Sequence, residues 1–541
     1  MFAIASRLFK SLFSILAESL ALRRVVRDAQ RAARRRQIRY ARLVLEGLEE
    51  RIVPDAYTFA VIGVPSNGSY TVGANWTDLT NAAKDGTVPG AADTADIPVG
   101  ASCTLNSGDE YSLAGLTIEG SMTVGSNLTV APNGSSGATT VAAGGGLIVG
   151  NPSNPGSSPA FDTTSLTDLG TVTVGAPAGG SVGTLDATTV SVGSGSGTGT
   201  FYVGDPGTGS AGTVDVSGGM SVGPTSLLQV GGVGSGGSAG SGGKLDVGTL
   251  TTAVGGSNFI INTNGETDVA SSGTLSGIST IAGVLQADNI DAFSGANVTI
   301  AGTVVVPSGP LKGNLIAEVQ ASFTFAAGST VTLRTPNALG DGQFNLNGAL
   351  VVDTALDSVN SEYTMTSSAA ISGSGSFDLN NHEFNWEGGT IGELTGGGFT
   401  IDNNADFKTT GSGTKTLATS MVNLGTGVAD FGGTGTLYID GPGTPVGSGS
   451  LLNLASAVEQ MEISLPVLTE SVYYSPGVVF TNAGYLEITQ ATTVMISAPM
   501  YNELGAYIES NLVGAGLVLS DLSGLSTLNG NIEMTNGTIS I

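Results

Sequence analysis

The chain of 541 residues contains 84 glycines but only 19 prolines, and 40% of its residues are hydrophobic. This composition excludes a disordered chain, because disorder requires low hydrophobicity, and the lack of glycine at every third position excludes collagen. Of the 18 basic residues, 12 lie in residues 1–55, which hold only 6 of the 44 acidic ones. The rest of the chain is therefore strongly acidic and is expected to repel nucleic acid and anionic membranes.

Residues 1–55 are predicted to form a basic amphipathic export or targeting segment that includes a short helix. Nine arginines between Arg23 and Arg42 follow two apolar clusters with helical spacing. The segment is too short, and too polar in its middle, to span a bilayer, so no transmembrane segment is predicted. Its short apolar runs also make a poor signal peptide. A helix lying on a membrane surface is the alternative, and a nucleic-acid-binding arm is less favoured.

A short motif ends this segment. Residues 45–56, with the sequence LEGLEERIVPDA, resemble the N-terminal motif of planctomycete extracellular proteins. In that family an arginine-rich lead precedes a Leu-Glu-x-Leu-Glu-(Asp/Glu)-Arg core that is closed by Pro-Ala. Here Glu50 takes the acidic position and Asp55 intervenes before Ala56. The resemblance implies export to the cell surface or the extracellular space, and it implies nothing about chemistry.

Residues 56–130 are predicted to hold an N-terminal cap and the first rungs of a stack. Asn75-Trp76 and residues 89–97 are similar to the front of secreted β-solenoids, where a cap covers the exposed strand edge. Asp93 and Asp96 could form a metal pair, but turn residues that bond their own backbone are favoured. Cys103, the single cysteine, is expected to be a buried strand residue and not a reactive thiol.

Residues 131–257 are predicted to form a Val-Gly repeat β-solenoid. Six phrases place a β-forming residue, one further residue, Val and Gly in succession, which predicts a short strand with one buried face. The glycine is expected to turn the chain with a positive φ. Because the phrases are irregularly spaced, each rung should hold more than one strand. The phrases are residues 172–175, 190–193, 201–204, 220–223, 228–231 and 245–248.

The same region contains a repeat like that of known surface proteins and two glycine-rich runs. Residues 199–201 and 212–219 resemble the repeats of autotransporter-like surface β-solenoids. The glycine-rich runs 193–199 and 231–243 lack the Gly-Lys-Ser/Thr ending of a phosphate loop and the period of a calcium-binding β-roll. We therefore predict neither of these sites.

Residues 258–380 are predicted to continue the β-solenoid, including a strand or a brief excursion within residues 311–320. Residues 381–541 carry rungs that resemble filamentous-haemagglutinin-like β-helices, and the resemblance rests on residues 384–391, 398–401, 415–417 and 480–484. Asn423 and Asn482 suit stacked turn positions at which amide ladders form.

Catalytic residues are scarce beyond residue 55. Acidic residues are scattered singly along the chain, whereas a glycosidase needs convergent carboxylates. His382 is the single histidine, which argues against multi-histidine metal sites and a Ser-His triad. Trp76 and Trp386 could stack on sugars, but packing in a core or cap is the default. The basic residues, none in a dense polar cluster, are Lys84, Lys244, Lys312, Arg334, Lys408 and Lys415.

These observations predict an all-β protein, a parallel β-helix of about 20 rungs and on the order of 100 Å in length. Right-handed winding follows from the usual rule for parallel crossovers. We expect no catalytic, cofactor-binding or metal-binding residues, and at most calcium bound weakly between carboxylates.

The favoured function is a cell-surface structural or adhesin-like rod that contacts glycans or proteins of the cell surface or extracellular matrix. The alternative is a carbohydrate-binding or polysaccharide-cleaving β-helix, and the third hypothesis is a non-functional fragment of a longer surface protein. A uniform face of Ser, Thr and Gly would favour the rod. A groove of carboxylates and aromatic residues would favour the carbohydrate alternative.

Overall fold

The structure is a computed structural model in which the chain divides into two units, Met1–Pro54 and Asp55–Ile541. The predicted basic helix and the export motif up to Asp55 lie outside the described residues. The structure describes residues 56–59, 67–80, 85–106, 110–130, 137–154, 156–177, 180–194, 197–232, 240–253, 258–281, 284–287, 297–300, 303–306, 314–317, 322–326, 329–333, 343–352, 355–357, 362–392, 400–423, 428–439, 450–453, 461–463, 467–469, 479–488, 493–496, 500–510, 513, 516–519, 526–534 and 537–540.

The described residues form 51 short strands and one 3-10 turn, Gly73–Asn75. The first strands are β1 (Ala56–Phe59), β2 (Asn67–Ser69), β3 (Trp76–Asp78), β4 (Thr94–Ile97), β5 (Ser102–Leu105), β6 (Tyr111–Leu113), β7 (Gly115–Ile118), β8 (Ser121–Val124) and β9 (Leu128–Val130). The Val-Gly region forms β10 (Ala138–Val141), β11 (Gly146–Val149), β12 (Ala160–Asp168), β13 (Thr171–Val174), β14 (Gly183–Val192), β15 (Thr200–Val203), β16 (Gly212–Val222), β17 (Leu227–Val230) and β18 (Gly243–Thr252).

The next region forms β19 (Asn258–Ile261), β20 (Gly265–Leu275), β21 (Ile278–Ile281), β22 (Val284–Ala287), β23 (Asn297–Ile300), β24 (Thr303–Val306), β25 (Asn314–Ala317), β26 (Ser322–Phe325), β27 (Thr330–Leu333), β28 (Gln343–Leu346), β29 (Ala349–Val352), β30 (Ala355–Asp357), β31 (Glu362–Met365), β32 (Ala370–Ser372) and β33 (Ser376–Trp386). The last region forms β34 (Gly389–Gly392), β35 (Thr400–Thr409), β36 (Lys415–Ala418), β37 (Ser420–Asn423), β38 (Val428–Phe431), β39 (Leu437–Ile439), β40 (Ser450–Asn453), β41 (Met461–Ile463), β42 (Val467–Thr469), β43 (Val479–Asn482), β44 (Tyr485–Ile488), β45 (Thr493–Ile496), β46 (Met500–Asn502), β47 (Tyr507–Ser510), β48 (Gly516–Leu519), β49 (Thr527–Leu528), β50 (Asn531–Met534) and β51 (Thr538–Ser540).

These strands stack in parallel as a β-solenoid, as the sequence predicts. Each rung contributes to three strand ladders, and the long strands β12, β14, β16, β18, β20, β33 and β35 each supply the first and second ladders in succession. The first ladder includes β6, β9, β22, β25, β37, β40, β43 and β46, and the second includes β4, β7, β10, β23, β26, β28, β31, β38, β41, β44, β47 and β50.

The third ladder is a separate sheet of twenty described strands that runs from β2 to β51. The number of strands in this sheet, one for each rung, confirms the expected number of about twenty rungs. Within residues 311–320, the described residues 314–317 form strand β25, which pairs with β22 and so belongs to the stack. Handedness stays a prediction. Among the described residues, no helix combines the length and apolarity that a membrane span requires.

The core lies between the ladders, because alternate residues of each strand point inward. Val174, Val203, Val230 and Ile261 occupy one register position in successive rungs of the third ladder and are fully buried. Each such side chain contributes about 1.5–3 kcal/mol through burial. No single rung could bury its apolar face alone, so the rungs stabilise one another cooperatively.

Aromatic side chains form the core further along the second ladder. Phe344, Tyr363, Phe384 and Phe407 follow one another in register. The rings of Phe384 and Phe407 are stacked with centroids 5.1 Å apart and an angle of 5° between their planes. Stacking at the rung spacing is possible because strands in a sheet lie about 4.8 Å apart.

An aromatic cluster lies at the N-terminal end of the described stack. Strand β3 pairs with β1 in the one antiparallel pairing among the described strands. The indole of Trp76 makes edge-to-face contacts with Phe59 and Tyr70, and its Nε1 donates a hydrogen bond to the Tyr70 carbonyl at 2.8 Å. The antiparallel strand therefore terminates the parallel ladder at this end.

The glycines of the Val-Gly phrases have two different roles. Four of them have positive φ, as predicted: Gly175, Gly193, Gly204 and Gly231. The prediction is wrong for Gly223 and Gly248, which are outside that region of φ. A Cβ on Gly248 would lie 2.4 Å from the carbonyl oxygen of Gly218 in the preceding rung. Close packing between rungs, and not a left-handed turn, is therefore why residue 248 is glycine.

Candidate functional surface

The outer surface of the first ladder carries a column of five aspartates, one in each of five successive rungs. Their register is continuous, and all five lie at exposed or half-buried positions of β12, β14, β16, β18 and β20. We call this set the aspartate column: Asp162, Asp186, Asp215, Asp246 and Asp268. With rungs about 4.8 Å apart, it presents closely spaced negative charge along the stack.

The ends of the aspartate column differ in how charge is balanced. Lys244 Nζ lies 3.1 Å from Asp246 and 3.3 Å from Asp268, and also 3.7 Å from Glu266. Partial burial, followed by the charges of Asp162 and Asp215, raises the pKa of Asp186. Burial, and then the neighbouring carboxyls, therefore favour the protonated form of Asp186.

Burial raises the pKa of Asp268 to about 7, even though the charge of Lys244 opposes this change. Glu266 and a hydrogen bond with Asp246 add to the increase. The pKa of Lys244 itself is raised, against a desolvation effect that lowers it, by its contacts with Asp246 and Asp268. At this end of the column, the Lys244 ammonium group therefore lies within ion-pair distance of three carboxyl groups, those of Asp246, Glu266 and Asp268.

A second acidic column follows the second ladder near the C-terminal end. Its five members share one register position in successive rungs. We call it the C-terminal acidic column: Asp430, Glu462, Glu487, Glu509 and Glu533. A third, shorter run places Asp357, Asp378 and Asp402 in register on the first ladder.

Tyrosines accompany the C-terminal acidic column. Tyr485 and Tyr507 are paired in register two residues before Glu487 and Glu509. The hydroxyl of Tyr485 donates to Glu509 Oε2 at 2.7 Å, while burial and this hydrogen bond raise the pKa of Tyr485. The Tyr507 side chain is 44% exposed. Carboxylates and aromatic rings therefore share one strip, which is exposed at Tyr507 and half-buried at Tyr485, Glu487 and Glu509.

The same register column carries hydroxyl residues toward the N-terminal end. Nine successive rungs, from Thr117 to Thr324, place Thr or Ser at this position, and Asp96 precedes them in the same column. These residues are Thr117, Thr140, Thr167, Ser191, Ser221, Thr251, Thr274, Thr299 and Thr324. Asn345, Thr364, Asn385 and Lys408 lie between Thr324 and Asp430, so the column passes from hydroxyl residues through a mixed polar stretch to the acidic residues.

The expectation that carboxylates are scattered singly is wrong for the folded chain, in which they align in columns across successive rungs. Each aspartate of the column follows an inward residue, as in Leu185-Asp186 and Val214-Asp215. This recurrence is visible in the sequence, but the rung length that brings the pairs into register is not. Turns of unequal length separate the strands, so a fixed period could not be read from the spacing.

Both tryptophans predicted as packing residues are buried. Trp76 belongs to the N-terminal aromatic cluster, and Trp386 Nε1 donates to the Gly388 carbonyl at 2.8 Å. Trp386 also contacts the Phe407 ring edge to face. Neither indole is accessible for stacking on a sugar, which confirms the packing interpretation.

The predicted aspartate pair divides into two different roles. Asp93 accepts a hydrogen bond from the Gly90 backbone N–H at 2.8 Å, which confirms a turn residue. Asp96, in contrast, lies in strand β4 and is not a turn residue. Burial, and then the charge of Glu119, raises its pKa. Cys103 is fully buried, and desolvation raises the pKa of its thiol to about 12, as expected of a packing residue.

The basic residues are distributed as single groups. Lys408 Nζ lies 3.1 Å from Glu383 Oε2, and Lys415 is buried with Nζ donating to the Gly413 carbonyl at 3.1 Å. Desolvation lowers the pKa of Lys415. Lys84, Lys312 and Arg334, and the side chain of His382, lie outside the described residues.

A column of asparagines runs along the end of the first ladder. The strand register links Asn403, Asn423, Asn453, Asn482 and Asn502 in successive rungs. Asn423 and Asn482 therefore share one stacked position as predicted, although they occupy the ends of strands and not turns.

Asp168 is a buried acid that the sequence reasoning did not identify. It takes the register position of Val141 and Val192 in the core of the second ladder. Its Oδ1 accepts from the Gly170 N–H at 2.9 Å, whereas Oδ2 has no hydrogen-bond partner. Burial raises its pKa to about 7, although the Gly170 hydrogen bond opposes the shift. No sequence signal separates it from the outward aspartates.

The described residues contain no group of three or more His, Cys, Asp or Glu that could hold a metal ion. The fold and its register columns define a parallel β-solenoid with acidic strips. Comparison with protein-family models and with curated proteins finds no match for the chain.

Proposed function

We propose that this chain is an exported, cell-surface structural or adhesin-like rod without catalytic activity of its own. The observation that carries the proposal is the set of in-register columns, hydroxyl and acidic, on a stack of about twenty rungs. A rigid scaffold repeats each outer side chain at the rung spacing, which suits multivalent contact with an extended partner. The partners would be glycans or proteins of the cell surface or extracellular matrix.

Export is the second part of the proposal. The arginine-rich lead and the motif at residues 45–56 support it through their resemblance to planctomycete extracellular proteins. The acidic composition of the remaining chain is compatible with a soluble, extended surface protein.

Weak calcium binding belongs to the same proposal. Carboxylate oxygens are ligands that calcium accepts in flexible geometry, and the acidic columns would concentrate the ion along the rod. Titration of the purified protein with calcium, followed calorimetrically and by the unfolding temperature, tests this. Magnesium is the matched control, and no stabilisation by calcium at millimolar concentration would remove this part of the proposal.

Carbohydrate binding or cleavage is the second candidate function, and one observation favours it. Tyr485, Tyr507, Glu487 and Glu509 form a strip of aromatic rings and carboxylates in which Tyr507 is exposed and the other three are half-buried. Such a strip can stack on sugar rings and accept hydrogen bonds from their hydroxyls. Adjacent carboxylates are also the groups that glycosidases use.

One experiment separates the rod from a polysaccharide-cleaving enzyme. The purified protein is applied to arrays of glycans and extracellular matrix proteins, and polysaccharides incubated with it are analysed for new reducing ends and for unsaturated sugars. The rod proposal predicts binding without cleavage. A Glu487→Gln, Glu509→Gln double variant that abolishes measured cleavage would establish the enzyme, whereas Glu503→Gln provides an exposed control.

A further inference from the structure

The outer face of the third ladder differs from the rest of the described surface in its charge. No described strand of this ladder contains Asp or Glu, and its one charged residue within those strands, Lys415, is buried. The first and second ladders carry the acidic columns. In a chain of net charge −26, the third ladder is the face that another acidic rod can approach without bringing carboxylates together.

One register column on this face alternates between apolar or aromatic residues and polar residues over ten successive rungs. Every neighbouring pair is in register. We call it the alternating column: Ile148, Thr173, Tyr202, Gln229, Ile260, Thr280, Val305, Thr332, Val351 and Ser372. An isolated solvated face has no need of such a repeat, since scattered polar residues would serve equally well.

The alternation also produces surface relief. Thr173, Gln229 and Thr332 are only 8%, 7% and 9% exposed, whereas Tyr202 and Ile260 are more exposed than these neighbours. The amide of Gln229 folds back and donates to the Gly231 carbonyl at 3.1 Å, so it does not stand out from the face. Tyr202 and Ile260, two rungs or about 10 Å apart, therefore flank a recess at Gln229, whereas Thr280 and Ser372 are half-buried like Tyr202 and Ile260.

We propose that the alternating column is an interface between two copies of this chain. A two-fold axis that passes between an apolar rung and a polar rung places each large side chain of one copy opposite a polar residue of the other, and at Thr173, Gln229 and Thr332 this residue lies in a recess. The two copies then run in opposite directions, and the contact closes as a dimer. Shape complementarity follows from the repeat itself, because both surfaces have the same spacing.

The size of the face is sufficient for such a contact. A four-residue strand is about 13 Å wide, and ten rungs extend about 48 Å, which gives about 600 Å² for each copy. The total of about 1,200 Å² falls at the lower end of stable protein interfaces. A reversible dimer is therefore expected in preference to a permanent one.

Sedimentation velocity of the full chain over a wide concentration range tests this proposal. We expect a concentration-dependent dimer whose dissociation constant rises at least tenfold in a Tyr202→Asp, Ile260→Asp double variant. The matched control is Thr167→Asp with Ser221→Asp, which adds the same charge two rungs apart on the hydroxyl part of the second ladder. The control should change the dissociation constant less than about twofold, since it lies on the other sheet.

The salt dependence of the dimer and a second, uncharged variant provide two further tests of this interface. Dimerisation through the uncharged face should persist or strengthen as salt rises, because salt screens repulsion between acidic rods. A Tyr202→Thr, Ile260→Thr variant keeps the face uncharged and should still weaken the dimer if the aspartate variant does not fold. Three outcomes would each overturn the proposal. The protein could stay a monomer at all concentrations, or the control variant could weaken the dimer as much as the double variant does. The dimer could also be lost at high salt, which would assign the contact to the basic residues 1–55.

Discussion

The amide of Asn482 donates from Nδ2 to Oδ1 of Asn502 at 2.8 Å, joining two successive rungs within the core. The same Nδ2 donates to the Tyr507 carbonyl at 2.9 Å, and the Gly484 N–H donates to Asn482 Oδ1 at 3.3 Å. Asn482 is fully buried. The side chain therefore bonds to its own rung and to the next one, and couples them where the first ladder meets the turn.

Replacing Asn482 by alanine should lower the free energy of unfolding by about 2–3 kcal/mol. The substitution leaves the Gly484 N–H and Asn502 Oδ1 without their partner in a buried setting, and each such group costs about 1–3 kcal/mol. Urea unfolding followed by circular dichroism measures the change. Asn529→Ala, at an exposed position, should remain within about 0.5 kcal/mol of the parent protein. Equal effects of the two variants would contradict a role for the amide ladder.

Asp168 should make the protein less stable as the pH rises from about 4 to above 7. Its folded-state pKa of about 7 is above the ordinary 3.8, so the folded protein binds this proton more tightly than the unfolded chain. The stabilisation is complete below the ordinary pKa and is lost as the pH rises through the folded value. This difference corresponds to about 4 kcal/mol at most.

Asp168→Asn tests this pH dependence, because the amide keeps an acceptor for the Gly170 N–H without titrating. The variant should flatten the decline between pH 4 and pH 7 in unfolding experiments, while the raised pKa of Asp186 and Asp268 leaves part of it. Glu503→Gln, at an exposed site, should leave the profile unchanged. An unaltered pH profile in Asp168→Asn would contradict the assignment.

Lys244→Met should destabilise the protein more than Lys408→Met. Lys244 lies near three carboxyls, whereas Lys408 forms one described ion pair, with Glu383. A single exposed pair contributes about 0.2–1 kcal/mol, and loss of the shared cation should exceed that value. The difference should shrink as salt rises, because screening weakens repulsion within the aspartate column. Thermal unfolding at low and high salt measures it, and equal losses at low salt would refute the coupling.

Gly248→Ala should be more destabilising than Gly144→Ala. Gly144 has a φ of +83° and no atom within 4 Å of the position that a Cβ would take, so alanine there incurs only the backbone penalty of about 1 kcal/mol. At Gly248 a Cβ would lie against the Gly218 carbonyl oxygen of the preceding rung, and relief requires the rungs to shift, at about 1–3 kcal/mol or more. Unfolding midpoints of the two variants provide the comparison, and the reverse order would show that φ dominates.

Local sequence patterns predicted the repeating unit and much of the core. Alternation in phrases such as Val172-Thr173-Val174-Gly175 predicted strand β13 with its inward valines, because the two-residue period of a strand is visible within a few residues. The burial of Trp76, Trp386 and Cys103 and the shared register of Asn423 and Asn482 follow the predictions as well.

The acidic columns could not be predicted in the same way. The aspartates at Asp186 and Asp215 are brought into register by a turn whose length differs from those of neighbouring rungs. A sequence read without rung boundaries therefore shows single carboxylates. The burial of Asp168 could not be predicted either, because an aspartate is normally expected at an exposed site. Its inward position follows only from the register of β12 against β10 and β14.

Protease shaving of intact cells that produce this chain tests the central claim most directly. Peptides released without lysis are identified by mass spectrometry, and a cytoplasmic protein serves as the lysis control. The surface-rod account predicts release of peptides from residues 56–541, with turns cleaved before strands. Complete protection in intact cells, with efficient cleavage after lysis, would contradict the surface location and the interpretation of the motif at residues 45–56.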